Sequence, residues 1–67
     1  MNIIEILEGA IESEINSKEK YLKLAKGATD PETRAALEQL ARDEGNHAQI
    51  LRDRLTAIRL MQDLGGV

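Results

Sequence analysis

Apolar residues recur along this chain at steps of three and four, the period of an amphipathic helix rather than of a strand. In the first half Ile4, Leu7, Ile11, Glu14, Lys18, Tyr21 and Ala25 fall on one row, which Ile15 and Leu22 widen. In the second half the row is Leu37, Leu40, Glu44, His47, Leu51, Leu55 and Ile58, flanked by Ala41 and Ala48. The pattern predicts a helix over about 3–26, a turn at 27–30 and a helix over about 31–64, one domain spanning 1–67. Asn2 is placed to cap the first helix, and Glu5 to complete a capping box with it. Gly27 suits a left-handed C-terminal cap. Asp30 is held out of the helical region by the proline after it and suits an N-cap, and Pro31 suits the first helical position. Gly65 and Gly66 are expected to end the second helix. Glu38 and Arg42, four apart, are expected to pair on its outer face. A breaker this short folds the helices back antiparallel, so the fold class is an all-α hairpin.

Two carboxylates and the one histidine interrupt these apolar rows. Glu44 and His47 are three residues apart, so both project from one side of their helix about a turn apart. Glu14 lies 16 residues before Asp30, and Glu44 and His47 lie 14 and 17 after it. At ~1.5 Å per residue these are heights of about 24, 21 and 26 Å from the turn. Folding back therefore brings three potential metal ligands to one layer. Burying carboxylates without compensation is expensive. One hairpin offers two carboxylates and an imidazole, a poor cage for a hard cation. Two hairpins about a twofold axis offer four carboxylates and two imidazoles, enough to balance two divalent cations. A glutamate from each of two helices with Glu-x-x-His from each of the other two is the ligand set of di-iron and di-manganese carboxylate bundles. By ligand type this set suits iron or manganese, with zinc a competitor. The plainer reading pairs Glu14 with Lys18, buries His47 neutral and makes the chain a metal-free helical dimerisation module. Gly45, mid-helix at ~1 kcal/mol against alanine, is either a tolerated surface residue or a site of close approach beside this layer.

Composition narrows the setting. The chain has 67 residues, no cysteine, and Tyr21 as its single aromatic residue, so its core is built of Leu, Ile and Ala without disulfides. A chain this short gains stability from metal or self-association once disulfides are excluded. Nine basic residues interspersed among twelve acidic ones, net charge −3, leave no basic face for nucleic acid. Apolar runs are too short to span a membrane. The opening "MNIIEILEGAIESE" lacks a secretory pattern, so a cytoplasmic protein is expected.

The segments "ESEINSKEKYLKLA" and "DPETRAALEQLARDEGNHAQILRDRL" resemble the rubrerythrin-type proteins of the ferritin-like superfamily, and most of all the short encapsulated ferritins. Glu14, Tyr21, Glu44 and His47 match that pattern in type and spacing. The resemblance implies a ferroxidase: a di-iron centre formed when two hairpins dimerise into a four-helix bundle, two iron ions per dimer. Fe(II) would be oxidised there to Fe(III) for storage and detoxification. Glu14, Glu44 and His47 would be the metal-binding and catalytic residues, with Tyr21 behind them. The homodimer is the minimum assembly, with a larger ring such as a decamer open to it and an encapsulin shell as a partner and location. The tail "RLMQDLGGV" does not show the cargo extension such a member carries, and Asn16 and Lys20 stand where relatives often have an acidic and an aromatic residue. Two further functions stay open beside ferroxidase and the metal-free module: rubrerythrin-like peroxide scavenging, for which no cysteine holds a rubredoxin-type iron, and a structural zinc bundle without turnover.

Overall fold

A computed structural model describes residues 1–65 as two α-helices, α1 (Ile3–Gly27) and α2 (Pro31–Gly65), with no strand among the described residues. They form an antiparallel hairpin measuring 56 × 18 × 11 Å. Since α1 has 25 residues and α2 has 35, the last turns of α2 run past the start of α1. Leu60, Met61 and Leu64 are exposed there. Gly66, expected to help end α2, lies outside the described residues.

Side-chain caps start both helices. The Asn2 side-chain oxygen accepts the Glu5 N–H at 2.9 Å. The reciprocal half of the expected box, from the Asn2 N–H to the Glu5 carboxylate, is not formed. At α2, Asp30 Oδ2 accepts the Thr33 N–H at 2.7 Å and the Asp30 carbonyl accepts the Arg34 N–H at 3.0 Å. Thr33, first through its side chain and then through its backbone N–H, holds the Asp30 carboxyl below its ordinary 3.8. A lowered carboxyl adds stability that is complete above 3.8 and is lost as pH falls through the folded-state value. Asp30→Ala should therefore lower the thermal midpoint by about 4–8 °C at pH 7. The gap should close in melts taken at acid pH, below the folded-state value.

Two local expectations are corrected. Gly27 does not adopt a left-handed cap, and no glycine among the described residues has positive φ. Instead Ala28 turns extended, at φ −78° and ψ 124°, and its N–H returns to the Ala25 carbonyl at 3.2 Å. The Arg34 guanidinium, reaching back from α2, donates to the Ala28 carbonyl at 2.8 and 3.2 Å. A local backbone bond backed by the Arg34 side chain thus stands where the glycine cap was expected, and glycine's freedom is not needed. The Glu38–Arg42 pair is also not formed. Arg42 donates to Gln39 Oε1 at 2.8 and 3.3 Å, and Gln39 Nε2 donates to Asp43 Oδ1 at 2.8 Å. Exposed ion pairs are worth only ~0.2–1 kcal/mol, so an amide acceptor one turn away displaces a carboxylate.

The buried core is thin: Leu7 and Ala25 from α1, and Ala41, Ala48 and Leu55 from α2. This moves the seam from the row expected for α2. The residues read as flanks, Ala41 and Ala48, lie with Leu55 at seven-residue intervals against α1. Leu40, expected inside, keeps 42% of its surface exposed. Small side chains let the helices approach closely; of the row expected for α2, Leu55 is buried, Leu37, Leu51 and Ile58 are half-buried, and Leu40 is turned outside. The accessible surface is 5018 Å². A compact chain of this mass would show about 4200 Å². The excess reflects the elongated shape of the hairpin.

Candidate metal centre

Midway along the hairpin α1 supplies Glu14 and α2 supplies Glu44 and His47. One ligand atom from each lies within 4.8 Å of the others. His47 Nδ1 is 3.4 Å from Glu14 Oε2 and 3.9 Å from Glu44 Oε2. The layer expected from helix rise is thus the layer where these three side chains meet. They are not sealed inside the hairpin: the side chains of Glu14, Glu44 and His47 are 27, 21 and 54% exposed. The carboxylates line the seam, and His47 stands at its open edge.

The electrostatics leave this group short of positive charge. Glu14 Oε2 is buried and accepts no hydrogen bond, for the approach of His47 Nδ1 lacks hydrogen-bond geometry. Glu14 is also the first cause of a raised Glu44 carboxyl. Partial loss of water raises Glu44 further, as does repulsion from Glu14 and Asp43, while His47 pulls it down. A proton on Glu44 is one remedy for the orphaned oxygen, and a cation between the carboxylates is the other. An orphaned carboxylate oxygen, a second carboxylate beside it and an imidazole at the same level fit a divalent metal by donor type and by charge.

A raised carboxyl destabilises the fold when ionised. The metal-free protein should thus lose stability as pH rises from 4.5 through the folded-state value of Glu44. Glu44→Gln should remove that loss, seen as a wild-type minus variant difference in thermal midpoint that changes across this window in chelator.

The pairing that would make Glu14 an ordinary surface residue is absent. Lys18, at i+4, makes no ion pair with Glu14. Its side chain instead crosses to α2 and lies over Gly45, where a Cβ would sit 3.4 Å from Lys18 Nζ. Sequence reasoning took Lys18 only as a partner for Glu14. The mid-helix glycine at the level of the carboxylates was the signal that could have shown otherwise. Tyr21 is half-buried two turns from Glu14 on the same row of α1.

The family model described as rubrerythrin matches residues 5–66, nearly the whole chain. No curated protein and no solved structure matches. No helix among the described residues is long and apolar enough to cross a membrane.

Proposed function

Because the chain belongs to the rubrerythrin family, a ferritin-like family whose domains bind iron and include oxidoreductases, we propose that it is a ferroxidase whose centre is shared by two copies. Glu14, Glu44 and His47 of each copy would bind Fe(II), two ions per dimer, and the ions leave as Fe(III). Each Fe(II) gives up one electron. A pair supplies the two that take dioxygen to hydrogen peroxide, or peroxide to water. The carboxylates hold the cations and favour the higher charge of Fe(III) over Fe(II). His47 fixes one side of the site through an imidazole nitrogen, and Tyr21 stands along α1 from the ligands. Manganese and zinc fit the same donors and compete for them.

The observation that carries this reading is the orphaned Glu14 oxygen facing Glu44 and His47. A metal-free dimerisation module would pair Glu14 with Lys18 and bury His47. Here Glu14 lacks that pair, which favours the metal-binding reading. The need for a second copy follows from ligand count and from surface. Three donors do not enclose a hard cation, and Leu40, one helical turn from Glu44 on the same stripe, is uncovered. One hairpin is half of a four-helix bundle, so iron storage would call for a larger assembly or a shell such as an encapsulin.

Anaerobic titration with Fe(II), followed by air or peroxide, tests the proposal. The expected result is saturation at about one iron per chain and oxidation well above the buffer rate. Saturation with no oxidation by either oxidant would reduce the site to a structural metal centre. Fast turnover with peroxide and none with dioxygen would make it a scavenger.

A further inference from the structure

A lysine four residues after a glutamate is in the favourable order for an ion pair on a helix. Lys18 and Glu14 have that spacing on α1, and Glu14 Oε2 is buried without a hydrogen-bond partner. Lys18 nonetheless leaves it unpaired. Its stem runs across the hairpin to α2 and fills the space above Gly45. A Cβ at Gly45 would lie 3.4 Å from Lys18 Nζ and 3.7 Å from Cδ and Cε. The lysine hydrocarbon is thereby laid along the surface of the opposite helix, an arrangement favourable for its apolar stem. Gly45 directly follows Glu44, so the notch lies beside the carboxylate layer on the neighbouring helix.

We infer that Gly45 is a notch that holds the Lys18 ammonium away from Glu14 and so keeps that carboxylate free for a cation. The inference rests on Glu14 being a metal ligand. Any side chain larger than a methyl group at position 45 occupies the volume of the lysine stem. Displaced, Lys18 returns to its natural partner at i−4, neutralises Glu14 and must be expelled again before metal binds. Competition of this kind is modest, because a divalent cation outbids one ammonium. An ion pair at helical i,i+4 spacing corresponds to a loss of about two-fold in metal affinity. Lys18 is in this sense a positioning residue: it acts through where it is kept.

The test is Mn(II) binding to the full chain, with free ion read from its electron paramagnetic resonance signal, and molar mass followed in the same samples. Gly45→Ala should bind Mn(II) as the wild type does, since a Cβ at 3.4 Å is ordinary contact, and its metal-free thermal midpoint should rise with the loss of a helical glycine. Gly45→Leu should bind about two-fold more weakly. The double variant Gly45→Leu, Lys18→Met should bind as the wild type does, because the competing ammonium is gone. Unchanged affinity in Gly45→Leu overturns the inference and leaves the metal site standing. So does a double variant that stays weak and loses mass, which would make Gly45 a seat for the second copy instead. A wild type that binds no Mn(II) or Fe(II) overturns both readings. One measurement needs no variant: nuclear Overhauser contacts from the Lys18 Cδ and Cε protons to the Gly45 Hα protons are expected in the wild type, and their absence counts against the notch.

Discussion

Glu14→Ala is expected to abolish Fe(II) oxidation above the buffer rate, a loss of at least about 100-fold, and to do so while stabilising the metal-free protein. The two effects have one origin. In the metal-free hairpin Glu14 presents a buried oxygen with no hydrogen-bond partner and raises the Glu44 carboxyl opposite. Removing it relieves both, so the melt in chelator shifts upward. With metal present the same carboxylate would be the ligand that α1 contributes at this layer. At metal concentrations about 100 times the dissociation constant, a bound ion contributes about 2.7 kcal/mol per site. That increment disappears in the variant. Disruption of supporting groups alone costs metal sites 10–100-fold, and loss of a ligand costs more. His47→Ala should lose oxidation to a similar degree without the gain in chelator, since it relieves no like-charge repulsion. A Glu14→Ala protein that oxidises Fe(II) at the wild-type rate would remove Glu14 from the site. One less stable in chelator would refute its description as an uncompensated charge.

The second large effect is expected at Leu40, which no part of its own hairpin covers well. Leu40→Glu should not itself disturb the α1–α2 seam of Leu7, Ala25, Ala41, Ala48 and Leu55, since Leu40 is 42% exposed. On the proposed dimer face the same change buries a charge with no partner, several kcal/mol unfavourable. The assembly should dissociate at micromolar concentration, and metal affinity should fall by more than about tenfold because half of the ligand set departs with the second copy. Sedimentation or light scattering reads the mass, and Mn(II) titration reads the site. Retention of both by the variant would place the twin on another face. Isolated hairpins with so small a core are marginal, so circular dichroism at the same concentration is expected to show some loss of helix as well.

Much of this arrangement is legible in the residue order, and the reason is geometric. Helix rise is nearly constant, so counting residues back from Asp30 places Glu14 at the level of Glu44 and His47, and these side chains do meet. Breakers behave locally too: Asn2 and Asp30 cap the two helices as their chemistry suggests. What residue order does not reveal is which part of a wide apolar stripe a neighbour will occupy. A helix in a four-helix bundle touches more than one other helix, so its stripe serves several partners at once. Within the hairpin α1 takes the alanine edge of α2, because small residues permit close approach, and Leu40 and His47 are left at the open edge. The Gly27 cap and the Glu38–Arg42 pair fail for a related reason. Each was a local option of small worth, and a competing donor or acceptor, Arg34 or Gln39, took its place. Lys18 follows the same rule: spacing on its own helix offered Glu14, and the notch at Gly45 on the opposite helix holds it instead.

The central claim is that one hairpin holds half a metal site and that a second copy completes it. Native mass spectrometry of the intact chain, prepared anaerobically with stoichiometric Fe(II) and again in chelator, reads copies and ions in one spectrum. The account predicts species at even multiples of the 7.4 kDa chain carrying one iron per chain, with Glu44→Ala stripping the iron. Iron held by single chains, or dimers that remain metal-free at saturating Fe(II), would contradict it.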